Sequence, residues 1–158
     1  MNRNDIAALA LAILALPISA NAAIDDMAKY WQIQGLRGIK SINYGIAYDA
    51  DNKLTKTVSA ELSGVGVPLK SVNFMKNDVA TSLLPTEAQL KVFVNDREQD
   101  KCWVGLNIKQ KCRLDRDPSI TFDAQTYSIG TLSAKSNADA AVKDVCAQFV
   151  RDFKPPAN

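Results

Sequence analysis

The stretch Lys101–Leu114 alternates with period two along its length. Cys102, Val104, Leu106, Ile108, Cys112 and Leu114 share one parity, interrupted only by Gln110, and Trp103, Asn107, Lys109, Lys111 and Arg113 fall on the other. A helix cannot keep every second residue on one face, so the pattern requires a strand with one side in a core and one side open. The same period recurs in Ile39–Asp49, where Ile42, Tyr44, Ile46 and Tyr48 alternate with Ser41, Asn43, Gly45 and Ala47, and in Ala88–Asn95 through Leu90, Val92 and Val94. It also predicts a short strand at Val67–Val72 and a last strand at Ile120–Ile129 with Ile120, Phe122 and Ala124 inward.

Two segments switch to helical spacing. Leu54, Val58 and Leu62 recur at i, i+4 and i+8 after the turn Asp49–Asn52, and Gly64 suits a helix end. Asn137 caps a final helix in which Ala138, Val142, Val145, Cys146, Phe149 and Phe153 form one apolar stripe. The first strand, this helix and the second strand have the spacing of a right-handed crossover. Asn73–Glu87 reads equally as a short helix or a loop, Asp96–Asp100 and Asp115–Pro118 as hairpin turns, and Gly130–Ser136 as a loop. The order β-α-β-β-β-β-α predicts an α+β two-layer sandwich, with two helices packed on one face of a mostly antiparallel sheet.

The N-terminus constrains where such a domain works. Arg3 precedes an apolar run from Ile6 to Ile18, and Ala20-Asn21-Ala22 sets small residues at a cleavage site. These are the three parts of a secretory signal peptide, and the run is shorter than the ~20 residues a membrane span needs. Residues 1–22 are therefore expected to be a signal peptide and 23–158 a single α+β domain, periplasmic or secreted, with no transmembrane segment. The formal net charge of +2 gives no whole-molecule argument for nucleic acid.

Leu36-Arg37-Gly38-Ile39, Val58–Val67, Leu90–Val94, Val104–Arg116, Ala124–Gly130 and the ending Val142–Phe153 together resemble a broad group of small exported bacterial proteins of unknown function. The shared motifs are a helix end, a hairpin and a terminal helix, and the group pattern favours an aromatic near Tyr127. The resemblance implies fold and export. It supplies no catalytic motif.

The chain has no histidine, which removes Ser-His-Asp and Cys-His catalysis and His-based zinc sites. Asp49-Ala50-Asp51-Asn52-Lys53 starts like a calcium loop but lacks the glycine at its sixth position and the closing glutamate. Gly64-Val65-Gly66 follows a helix instead of opening one, so it reads as a helix stop and not a phosphate cradle. The carboxylate pairs Glu98/Asp100 and Asp115/Asp117 fall in turns. No cofactor or metal is expected. In an oxidising compartment, three cysteines favour one bridge with one thiol left over. Cys112–Cys146 is the expected pair, because both point into the core, and Cys102–Cys112 is the alternative.

The pattern that could bind something is the outward parity of the sheet. Phe93, Trp103 and Tyr127 fall there, with Lys91, Lys109, Lys111 and Arg113 among them. Aromatics interleaved with cations on an open sheet stack rings and hold anions. The ordinary reading of the same residues is a solvated face with cross-strand pairs. The sequence thus points to an exported, non-catalytic binding or interaction protein whose partner is an envelope protein or a glycan. The alternatives are a small-ligand or glycan binder with a cleft near residues 73–87, and a histidine-free hydrolase using carboxylates. Mass spectrometry of the exported product should show a chain starting at Ala23; a product retaining Met1 would refute the leader.

Overall fold

The computed structural model describes residues 25–47, 53–74, 83–97 and 99–153. The expected leader and the expected turn at 48–52 lie outside these, as do most of the 73–87 connection and Glu98. The chain forms two compact units, residues 1–34 and 35–158. A helical stretch (α1) covers residues 25–35, the last of which belongs to the second unit; on it Met27, Tyr30 and Trp31 are exposed, the last two rings meeting edge to face at 5.4 Å.

The second unit is the α+β body. Its elements are β1 (Ser41–Ala47), α2 (Lys53–Leu62), β2 (Leu69–Ser71), β3 (Glu87–Asp96), β4 (Lys101–Leu114), β5 (Asp117–Ala134) and α3 (Ala138–Phe153), which is the order expected from the sequence. The five strands form one open sheet in the order β2-β1-β3-β4-β5. The sheet is mixed: β1 pairs parallel with β2 over three residues and with β3 over seven, while the antiparallel ladders β3–β4 and β4–β5 run over nine and fourteen. Antiparallel pairing dominates by length, as expected, and the parallel β1–β2 pair is the one the strand-helix-strand crossover requires.

One face of the sheet carries the core. Ile42, Ala88, Leu90, Val92, Cys102, Val104, Leu106 and Ile108 have no exposed surface there. They meet Val58 and Leu62 of α2 and Val142, Cys146 and Phe149 of α3, which are equally buried. A helix of ten or sixteen residues is marginal alone, so packing of these stripes is what holds α2 and α3, at ~1.5–3 kcal/mol for each large side chain fully buried. Thr57 Oγ1 donates to Asp139 Oδ1 at 3.1 Å and fixes α2 against the first turn of α3. Past α2, a 3-10 turn at Ser63–Val65 ends on Gly66, whose φ of 83° belongs to the left-handed region; this is the helix stop the Gly64–Gly66 pattern indicates.

The last strand departs most from expectation. β5 does not end at Ile129 but continues through Gly130 to Ala134, and its ladder to β4 contains a bulge: Ile108 faces Tyr127 while Lys109 faces Gln125, leaving Thr126 extra. One inserted residue exchanges the faces on either side of it. Ile120, Phe122 and Ala124 therefore share the inner side with Tyr127, Ile129 and Thr131. Tyr127 is a core residue, only 2% exposed, and not part of the outer face on which the sequence places it. Its ring packs edge-on to Phe149 at 5.6 Å, and its hydroxyl donates to Asp152 Oδ2 at 2.7 Å. Gln148 Nε2 holds the other oxygen of Asp152 at 2.7 Å. Burial and the neighbouring Asp152 carboxylate both raise the Tyr127 pKa, so the phenol stays a donor. Ile120 and Phe122 keep the inward side but stand on the part of the β4–β5 hairpin that β3 does not flank, and remain 49% and 46% exposed.

All three cysteines are free, so neither expected bridge is present. Cys102 and Cys112 stand on one continuous strand, ten steps of ~3.3 Å or ~33 Å apart, against the ~7 Å limit for a disulfide. Cys146 is buried on α3, with burial foremost and Glu61 beside it pushing its thiol up to about 12. The end of α3 meets Tyr127, level with Ile108. Cys146 lies six residues back along the helix and Cys112 four residues onward along β4, which separates them by roughly 20 Å.

The inward assignment of Tyr127 can be read in melting curves. Tyr127→Phe should cost ~1.5–3 kcal/mol through the lost bond to a charged acceptor, and Tyr127→Ala ~3–5 kcal/mol. Trp103→Ala should cost clearly less than Tyr127→Ala. The reverse order would restore the outward reading.

Candidate functional site

α2 and α3 both pack on the first face of the sheet, and the side chains of the second can be followed strand by strand. Glycine on one strand and an aromatic on the next form its repeating device. Phe74, just past β2, lies over Gly45 of β1, where an added Cβ would meet its ring at 2.8 Å. Phe93 on β3 is registered opposite Gly105 of β4, where a Cβ would come within 2.3 Å of the ring. Trp103 on β4 lies over Gly130 of β5, with a Cβ there only 2.7 Å from the indole. Three rings thus descend across four strands, each filling the space left by a missing side chain. Such pairing flattens the rings onto the sheet and fixes their orientation.

The rings are not equally open. Phe74 is buried, Phe93 half-buried and Trp103 exposed at 36%. Leu132, registered opposite Trp103 and 54% exposed, extends the apolar surface to β5. Lys91 points across this face with its ammonium 5.9 Å from the Phe74 ring, a cation–π contact. Beyond it comes a polar row in which Asn107 Oδ1 accepts from Ser128 Oγ at 2.8 Å.

The cations lie further along. Lys109, Lys111 and Arg113 take the outward parity of β4, with Gln125, Asp123 and Thr121 opposite them. Three cations against one carboxylate make this side of the hairpin basic. The sequence reading interleaves aromatics and cations; the structure instead separates them. Rings occupy one end of the face, basic residues the other, with Lys91 and Asn107 at the join. Trp103 and Arg113 are ten strand steps apart, ~33 Å.

Of the residues singled out from sequence, Phe93, Trp103, Lys91, Lys109, Lys111 and Arg113 therefore share one face, and Tyr127 does not. Phe74, buried, and Leu132, exposed, also belong to this face and were not foreseen. Phe74 sits in the segment whose periodicity was ambiguous, and Leu132 follows a glycine that reads as a loop. The signal for both was present as glycines at outward strand positions, each of which needs a neighbour to fill its space.

The other candidate chemistries find less support. The connection expected to line a cleft, residues 73–87, is described only at its ends. Asp115 lies in the β4–β5 turn and Asp117 just after it, where Ser119 donates its amide at 3.1 Å and its hydroxyl at 2.6 Å to Asp117 Oδ1. Those bonds lower the Asp117 pKa, as in a turn-closing carboxylate. Glu98 lies outside the described residues, as does the calcium-like stretch apart from Lys53. Among the described residues no group of three or more metal-ligating side chains converges.

No protein-family model and no curated protein sequence matches the chain. Among solved structures, it is similar to the PelC dodecamer from Paraburkholderia phytofirmans at 9% identity, over 76% of this chain and 91% of that one, with a TM-score of 0.41. A variant of that protein aligns at 13% identity with the same score. A minor lipoprotein from Acinetobacter baumannii aligns at 13% identity over 72% of this chain and 91% of that one, with a TM-score of 0.29. At these scores the similarities carry no conclusion about this chain.

The ring-on-glycine packing has a direct test. Gly130→Ala should lift the Trp103 indole from the sheet and red-shift its fluorescence, read in a Trp31→Phe background so that one tryptophan reports. An unchanged spectrum would show that the ring is not seated there.

Proposed function

We propose that this chain is an exported, non-catalytic binding module that holds an extended, acidic partner of the cell envelope along the outer face of its sheet. The observation that supports this reading is the layout of that face: oriented rings at one end, three cations at the other, and a polar row between. A compact small molecule would reach only one end. A partner that touches both must run ~30 Å along β4, as a glycan chain or an extended protein segment does. Exposed aromatic surface is uncommon on soluble domains and tends to mark interaction sites.

The division of labour follows from the physics. The cations speed encounter with an acidic partner and weaken with salt, since the Debye length is about 8 Å at physiological ionic strength. The Trp103 and Phe93 rings supply short-range contact that salt does not screen. Export rests on the leader read at Met1–Ala22. The absence of histidine and the turn positions of Asp115 and Asp117 favour binding over catalysis.

The test is capture from native envelope by the tagged chain, followed by titration of what is retained. Trp103→Ala should weaken binding about tenfold at any salt, in line with the 1–3 kcal/mol typical of ring stacking. Reversal of Lys109 and Lys111 to glutamate should abolish most of the salt dependence and lower the association rate. Retention unaffected by both changes would exclude the outer face as the binding surface.

A further inference from the structure

The two edges of the sheet are built differently. β2 forms one edge, is three residues long, follows Pro68 and carries Lys70. Shortness, a proline and a lysine are the usual devices that keep a sheet edge from recruiting another strand. β5 forms the other edge and is eighteen residues long, with β4 on one side and no described strand on the other. Past the bulge its sequence is Tyr127-Ser-Ile-Gly-Thr-Leu-Ser-Ala134, with no charge and no proline. Such an uncharged, proline-free segment carries none of the devices that keep an edge from pairing with another strand.

A second observation lies beside the same edge. An open groove of about 390 Å³ lies between Thr131, Leu132 and Ser133 of β5 and Asn137, Ala140, Ala141 and Asp144 at the start of α3. A strand added to β5 would send its inward side chains toward that space. On the opposite face Leu132 is left 54% exposed at the end of the sheet.

We propose that β5 is the interface with a second copy of this chain, the two strands running antiparallel along Ser128–Ala134 about a two-fold axis at Thr131 and joining two five-stranded sheets into one. The occupant is assigned by charge and symmetry. Laid against itself, this segment brings no like charges together. A two-fold axis through the seam gives each copy the same groove to fill, and the side chains available are Ile129 and Thr131 of the other. Because the β2 edge is guarded, pairing closes at two and does not propagate. The shared sheet would also set two outer faces side by side, although the pairing does not depend on what those faces bind.

Sedimentation equilibrium of the purified chain across a concentration series tests this. The expected result is a monomer–dimer equilibrium, with β5 amides exchanging more slowly as concentration rises. Leu132→Lys places a like charge on each side of the seam and should weaken association at least tenfold; Leu132→Ala, which leaves the backbone pairing intact, should weaken it much less. Circular dichroism confirms that both variants fold, and should Leu132→Lys fail to, the concentration dependence of amide exchange in the unaltered chain decides. A chain that stays monomeric into the upper micromolar range would overturn the proposal. So would a dimer indifferent to Leu132→Lys, a dimer whose β5 amides exchange at the monomer rate, or growth beyond two.

Discussion

Gln110 is the residue on which both faces of the sheet depend. It is the one polar side chain at an inward position of β4, and its amide nitrogen donates to the Gly35 carbonyl and to Thr126 Oγ1, each at 2.6 Å. Thr126 is the extra residue of the bulge. The amide therefore secures the point at which β5 changes parity and ties it to the chain entering the body. On one side of that point β5 turns Tyr127, Ile129 and Thr131 inward toward α3. On the other it turns Phe122 and Ile120 to the same side, on the part of the hairpin that β3 does not flank. Without the inserted residue, Tyr127 would face outward, and the bond from its hydroxyl to Asp152 could not form.

This explains what the sequence could and could not reveal. β4 was legible throughout because its alternation is broken only at Gln110, and the structure shows that this exception is the joint. The two helices were legible from their stripes, and their burial follows the spacing of Val58 and Leu62 and of Val142, Val145, Cys146 and Phe149. β5 was legible only in part. A bulge leaves no pattern of its own in one sequence: the Ile120–Ala124 parity and the Tyr127–Thr131 parity each look regular, and only the partner strand shows that a residue separates them. Gly130 misled for a related reason. A glycine among small residues reads as a loop, but here it sits within a strand because an indole from β4 needs the room.

The cysteines show the same limit. Placing Cys112 and Cys146 toward one core was correct in direction and wrong in distance. Parity gives the side of a sheet, not the position along it. What decides against the bridge is that α3 ends level with Ile108, while β4 runs on past it into the hairpin. That depends on which strand residues the helix lies over, a long-range relation that periodicity does not encode.

The outer face and the β5 edge follow from one choice of residue size. Glycine at 45, 105 and 130 lets rings lie flat, so a face with three aromatics stays shallow and does not bury its own strands. A shallow face can carry an extended partner where a ridged one would contact it only at the crests. The same choice leaves β5 with small or uncharged residues at Ser128, Gly130 and Ser133, which removes the charged gatekeepers an edge ordinarily bears. An edge of that composition is either a hazard or an interface. The alanines that line the groove beside it, where larger side chains would have narrowed the space, favour the interface.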